Sequence, residues 1–249
     1  MSGGHKNNSI KSQIGGYPHL VTFEGYHAMR AALIALMLMF GSPVGADATK
    51  TWKVVSPSIV SVLPTWPGYT KPGFGAPVGA APEGTGIAIS KDGHILTAAH
   101  VIAKATTIEI RDGNNNLATA HPVFVSTETD LAIIKVDVET FAIDFSDEVP
   151  EIGSETCLIS NSFGLGLGIT CGVVSAIGRK NIGFNRTEDF IQTDAASNPG
   201  SSGGALVNMD GFLIGMMSGI FTKNTDTNAG VNFAVSGSLI QKTIVDFSN

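Results

Sequence analysis

The segment DAASNPGSSGGALVN, Asp194 to Asn208, decides how this chain is read. It sets Ser197, Ser201 and Ser202 among glycines. Gly200, Ser202 and Gly204 fit the G-x-S-x-G spacing of a hydrolase nucleophile elbow. Glycine–serine clusters are also ordinary loop material. A serine hydroxyl is a weak nucleophile at neutral pH, so it needs a base within reach and a carboxylate to orient that base. The histidines therefore arbitrate. All of them, at positions 5, 19, 27, 94, 100 and 121, precede Ser202. An α/β-hydrolase elbow requires serine, then acid, then histidine, so that arrangement is excluded. The order histidine, aspartate, serine stays open.

His100 is the candidate base. It ends HILTAAH, where a buried strand gives way to small residues and a turn. A structural histidine is the competing reading. His94 falls in a hairpin turn, His121 precedes Pro122 next to an apolar run and suits a surface role better than a catalytic one, and His5, His19 and His27 lie in a segment expected to be removed. For the acid, Asp130 opens DLAIIKVDV just ahead of an apolar strand, where a carboxylate can be buried and fixed. Asp137 follows that strand and Asp112 sits in a turn. Asp194 is the rival nearest the serines, with loop anchoring as its bland role. The glycines around Ser202 have a physical reason of their own. Acyl transfer builds an oxyanion that backbone N–H groups can stabilise. Aiming two of them inward needs an unusual turn, which Gly200 permits because it lacks a Cβ. Gly203 and Gly204 allow close approach, and Ser201 then points away.

The totals suit such a domain. The chain has 249 residues, 43% of them hydrophobic and 14% charged, which supports a sizeable core. A net charge of −6 gives no reason to expect nucleic acid or an anionic membrane as partner. Two cysteines are too few for a disulfide scaffold and lack zinc-site pairing. No metal or organic cofactor is indicated. From Thr51 onward, apolar runs such as GIAIS, HILTAA, TTIEI, DLAIIKV, ETCLIS, GITCGVVSAIG and FLIGMM alternate with turns. Short strands at this frequency indicate an all-β sandwich or barrel. Helix is expected only just after His100 and at SLIQKTIVDF. Leu63 to Gly84 and Phe221 to Gly230 read as long loops. The polar stretch DFSDEVPEIG, Asp144 to Gly153, reads as a seam between residues 47–146 and 147–249.

The N-terminus reads as an export signal. Arg30 precedes the apolar run AALIALMLMF, Ala31 to Phe40, followed by small residues ending at Ala46. Such a run is a signal peptide, too short for a bilayer span of about 20 residues. Cleavage is expected after Ala46, or secondarily after Ala48. A buried helix is the competing reading. Met29 sits directly before Arg30, so residues 1–28 read as an extension ahead of the true start. The mature protein is therefore expected to be exported, periplasmic or secreted, with no stable membrane span.

GTGIAISKDGHILTAAHVI, TDLAIIKVD and DAASNPGSSGGALVNMDGFLIGM together resemble the histidine, aspartate and serine segments of HtrA/DegP-type trypsin-like serine proteases. SNSFGLGLGITCGVVSAIGR resembles the family's glycine-rich loop and following strand, and GVNFAVSGSLI its closing strand. The resemblance implies two perpendicular six-stranded β-barrels with the site in the cleft between them. His100 would be the base, Asp130 its orienter and Ser202 the nucleophile. The oxyanion hole falls to Gly200 and Ser202, with Ser201 nearby. In this fold the pocket base stands at Ala196, with Ile220 narrowing the entrance. Neither residue is charged, so cleavage after small or medium aliphatic residues is expected.

Departures from the family pattern matter as well. The family has asparagine where Ser201 stands, a small polar exchange expected to preserve activity. Ser201 cannot make the ion pair that activates digestive relatives, so ordering of Asn161–Thr170, Thr193–Gly200 and Phe221–Gly230 is the expected switch. PDZ domains usually follow the protease, and the sequence ends at Asn249 without one. Their role is expected to be absent or supplied by another chain. Cys157 and Cys171 flank the glycine-rich loop on neighbouring strands. Export allows them to oxidise, but cross-strand geometry is restrictive, so their pairing stays open. The expected substrates are unfolded or damaged polypeptides. A protease-fold chaperone or binding module and a dedicated processing protease are the alternatives. A homotrimer is usual in the family. Trp66, Tyr69 and Phe74 are candidate contacts for it, and equally suited to cover the chain's own surface.

Overall fold

The structure, a computed structural model, describes residues 1, 47–67, 82–220 and 229–248. The export signal, Tyr69, Phe74 and most of the two long loops lie outside the described residues. The expected barrels are present. β1 (Ile59–Thr65), β2 (Gly84–Ala88), β3 (His94–Ala98), β4 (Thr107–Arg111), β5 (Leu117–Ser126) and β6 (Leu131–Val136) close in the order β1-β2-β3-β6-β5-β4. β7 (Glu155–Ser160), β8 (Gly168–Arg179), β9 (Phe190–Thr193), β10 (Ala205–Asn208), β11 (Leu213–Ile220) and β12 (Asn232–Ser236) close in the order β10-β11-β12-β9-β8-β7. All twelve strand pairings are antiparallel.

Period-two alternation explains how strands of the second barrel serve two cores. Leu158, Val174, Ile191, Leu206, Ile214, Met217 and Ala234 form one buried cluster. Every strand of the second barrel contributes to it, so it fills that barrel's interior. Their neighbours Cys157, Ile159, Ala205, Val207 and Met216 point the other way and join the core of the first barrel. Each fully buried Leu or Ile contributes about 1.5–3 kcal/mol.

Three elements differ from expectation. Leu63–Thr65, read as the start of a long loop, instead ends β1. Ala48–Val55 is an α-helix, α1, capped by Asp47, whose carboxylate accepts the Thr49 N–H at 2.9 Å. It buries only Thr51 and Val55, too little to give a recognisable helical stripe. β5 was not anticipated because its residues are mostly solvent-facing and it contains Pro122 beside a register shift. The two expected helices are α2 (Ala99–Ile102), which contains His100, and α3 (Gly237–Ser248). No helix among the described residues is long and apolar enough to cross a membrane.

Cys157 and Cys171 are directly opposed on β7 and β8 and form a disulfide.

Candidate active site

Strand register brings His100 and Asp130 together. β3 and β6 pair with Ala98 opposite Leu131. His100 lies just past the end of β3 and Asp130 just ahead of β6, so the two meet at one rim of the first barrel. Asp130 takes a positive φ of 58°. That conformation costs a non-glycine residue about 1–2 kcal/mol and persists only where the surroundings hold it. Here the Ala99 N–H donates to the Asp130 carbonyl at 3.0 Å.

The Asp130 carboxylate is saturated with donors. It accepts the His100 backbone N–H at 3.0 Å and lies 2.8 and 3.0 Å from His100 Nδ1. Ser218 of β11 donates its hydroxyl to the same carboxylate at 2.6 Å. Asp130 is buried, whereas the His100 side chain is 51% exposed. A carboxylate only accepts, so Nδ1 must carry the imidazole proton and Nε2 is left as an acceptor. Ser218 was not anticipated from sequence. Its one signal is a lone hydroxyl residue in the strand LIGMMSGI.

Ser202 lies in the turn between β9 and β10, and that turn is docked onto the first barrel. The Thr85 N–H donates to the Ser202 carbonyl at 2.9 Å, and the Thr85 hydroxyl to the Gly200 carbonyl at 2.8 Å. Gly203, at φ 86°, is pressed so close that a Cβ would overlap the Thr85 carbonyl oxygen. On the other side Gly203 N–H bonds the Met217 carbonyl at 2.7 Å, and Met217 N–H bonds the Gly204 carbonyl at 2.8 Å. The turn is thus the joint between the barrels. No hydrogen bond links Ser202 to His100 among the described residues.

The backbone donors separate cleanly. The Pro199 carbonyl accepts the Phe163 N–H at 2.6 Å. In a trans peptide the C=O and the next N–H point in opposite directions, so the Gly200 N–H faces away from Phe163. The N–H groups of Gly200 and Ser202 have no acceptor among the described residues. The Ser201 N–H instead turns back to the Asn198 carbonyl at 2.9 Å, which corrects its grouping with the oxyanion donors. Its hydroxyl is fully buried, 3.0 Å from Ser160 Oγ and 2.8 Å from Ser162 Oγ. Those hydroxyls anchor it beneath the turn.

The other aspartates and histidines go elsewhere. Asp194 accepts the Val173 N–H at 2.7 Å, a loop anchor. Asp112 closes its own turn through Asn114 and Asn116. His94 bonds Ser90 and Asp92 in the β2–β3 hairpin, and His121 is exposed. Ala196 is exposed, and its carbonyl accepts the Thr170 hydroxyl at 2.7 Å. Asn232 Nδ2 donates to the carbonyls of Thr193 and Ala195 at 3.1 and 2.9 Å. The Ile220 side chain lies outside the described residues.

The model of the trypsin-like peptidase domain family matches residues 84–216, a span that includes His100, Asp130 and Ser202. The chain is 38% identical over 169 residues to a probable periplasmic serine endoprotease DegP-like protein of Chlamydia muridarum, covering 67% of this chain and 33% of that protein. To the periplasmic serine endoprotease DegP of Escherichia coli it is 37% identical over 162 residues, covering 64% and 34%. The chain thus spans about a third of the length of the curated relatives it matches. The solved HtrA-type protease AlgW with tripeptide superposes with a TM-score of 0.70 at 32% identity, over 80% of this chain and 62% of that one. The serine endoprotease from Yersinia pestis gives 0.68 at 31% identity, over 83% and 68%. With the barrels, the strand order and the matched segment in agreement, the chain belongs to the trypsin-like peptidase domain family, with relatives of the HtrA/DegP type.

Proposed function

We propose that the chain is a serine endopeptidase in which Ser202 is the nucleophile, His100 the general base and Asp130 its orienting carboxylate. The observation that carries this reading is the clamp on His100. Two donors from His100 itself and one from Ser218 converge on the Asp130 carboxylate. That leaves Nε2 free to take a proton. Ser202 Oγ attacks the scissile carbonyl carbon while His100 Nε2 accepts its proton. The oxyanion formed faces the N–H groups of Gly200 and Ser202. Collapse breaks the C–N bond, and His100 gives its proton to the departing amine. Water then attacks the acyl-Ser202 ester with His100 again as base, releasing a carboxylate product and the free serine. Asp130 stays ionised and stabilises the imidazolium.

The preferred substrates are unfolded polypeptides in the periplasm, cut after small or medium aliphatic residues. Support for this comes from the uncharged Ala196 and from the relatives, which are named periplasmic endoproteases. The test uses a fluorophosphonate probe and casein. Labelling and casein digestion should both vanish in Ser202→Ala. A peptide library should show cleavage after Val, Ala or Ile, and preferred cleavage after Arg would overturn the specificity assignment. The missing Ser202–His100 hydrogen bond favours one second reading, a binding or chaperone module with little turnover. Absence of wild-type labelling at every temperature would establish that reading over the first.

A further inference from the structure

A carboxylate outside the catalytic cluster holds the loop that packs against Pro199 and Gly200. Glu83 lies just ahead of β2. Its Oε2 accepts Arg111 NH2 of β4 at 2.6 Å and Asn161 Nδ2 at 2.7 Å. Both charged side chains are about three-quarters buried. Asn161 spreads this anchor through the following loop. Its Oδ1 accepts the Gly166 N–H at 2.8 Å, which closes residues 161–166 into a ring. Its backbone N–H donates to the Thr85 hydroxyl at 2.9 Å, and that hydroxyl donates in turn to the Gly200 carbonyl at 2.8 Å.

The ring has one strained member that matters. Phe163 adopts φ 60°, a left-handed conformation that its surroundings must impose. In that conformation its N–H reaches the Pro199 carbonyl. Asn161 also limits Gly200 directly, because a Cβ there would overlap the Asn161 carbonyl oxygen. If the Phe163 N–H lets go, the Pro199–Gly200 peptide is free to rotate. Rotation exchanges a donor for an acceptor at the point where negative charge develops, which repels an oxyanion.

We propose that Glu83 is a positioning residue for the oxyanion hole. Held by Arg111, its carboxylate fixes Asn161, and through Asn161 the Phe163 N–H that orients the Pro199–Gly200 peptide. This assignment rests on the serine-peptidase reading above. The anchor lies on the first barrel, whereas the turn it orients belongs to the second. Glu83 therefore couples docking of the barrels to completion of the site. A merely structural ion pair would affect unfolding alone.

The test compares Glu83→Ala, Glu83→Gln, Arg111→Met and the Glu83→Ala/Arg111→Met double variant in the full chain. The probe substrate is a peptide p-nitroanilide with valine at the cleaved bond. Glu83→Ala should lower kcat by about tenfold to a hundredfold, below the cost of deleting an oxyanion donor outright, with KM changed by less than about twofold. The midpoints of its pH–rate profile should match wild type, since the His100–Asp130 arm is untouched. Glu83→Gln keeps an oxygen for Asn161 and should recover most of the loss. Arg111 acts through Glu83, so the double variant should be no slower than Glu83→Ala. Wild-type kcat in Glu83→Ala, or a shifted pH midpoint, overturns the proposal. Should Glu83→Ala not fold, Arg111→Met decides by the same kcat-against-KM comparison. Ser202→Ala is run alongside. Retained turnover there defeats the peptidase reading and this assignment together. An unimpaired Glu83→Ala beside an inactive Ser202→Ala defeats the assignment alone.

Discussion

Replacing Asp130 with asparagine changes one oxygen to an amide and leaves the volume nearly unchanged. Every partner of the Asp130 carboxylate is a donor: the His100 backbone N–H, His100 Nδ1 and the Ser218 hydroxyl. Asparagine offers one acceptor and one donor in their place. The acceptor is best kept by the backbone N–H of His100, which cannot reverse its role. The amide NH2 then faces Nδ1 and the Ser218 hydroxyl. Ser218 can rotate to accept, but Nδ1 can accept only by giving up its proton. The imidazole then carries its proton on Nε2, where a base must be bare. In the chymotrypsin-type triad this tautomer error costs about ten-thousandfold in kcat, equivalent to about 5.5 kcal/mol of barrier. The same loss is expected here, because an NH2 at the Oδ2 position stands 2.8 Å from Nδ1, closer than the amide oxygen at 3.0 Å, and so favours the wrong tautomer. The assay is hydrolysis of the valine anilide by Asp130→Asn, with thermal unfolding measured in parallel. Unfolding should move little and KM should hold. A loss smaller than about tenfold at intact fold would refute the assigned role of Asp130.

Other expectations follow from the same geometry. Gly203→Ala places a methyl into the Thr85 carbonyl and 2.7 Å from Thr97 Oγ1. It should abolish activity and cost more than about 3 kcal/mol in denaturant unfolding. Gly153→Ala, also at positive φ but with open space around it, should cost only about 1–2 kcal/mol and keep activity. Equal effects would discredit the docking of the turn. The disulfide spans a separation of 14 residues, so its removal should cost about 3 kcal/mol, or roughly 6–12 °C in Tm. An unchanged Tm in reductant would contradict that. Burial raises the Glu188 pKa, but four backbone N–H donors, from Ile182, Gly183, Phe184 and Asn185, outweigh it and hold the group below its ordinary value near 4.5. A depressed carboxylate stabilises the fold above its ordinary pKa, and that contribution fades as pH falls through the folded value. The stability gap between wild type and Glu188→Gln should therefore be constant near neutrality and narrow in acid. A gap independent of pH would rule this out.

Much of the candidate site is legible in the sequence because its informative features are local. His100 and Asp130 each border an apolar strand run, and Ser202 sits in a glycine turn whose chemistry dictates its composition. Chain order alone discarded the α/β-hydrolase arrangement. The disulfide was harder, because two cysteines on neighbouring strands meet only if the register is right, and the sequence left that register open. The helix at Ala48–Val55 leaves little trace in the sequence because it is short and hides only two side chains.

The sequence by itself determined the strand-rich class, the His–Asp–Ser order and the glycine-shaped turn, since alternation, turn chemistry and chain order are properties of neighbouring residues. The tertiary structure decided which groups complete them. Ser218 reaches Asp130 across a separation of 88 residues, and Asn161 reaches Glu83 across 78. Such pairs depend on barrel closure and on how one barrel docks against the other. The direction of the Ser201 N–H belongs to the same class. It is set by the rotation of a single peptide plane, which the identity of the residue does not encode.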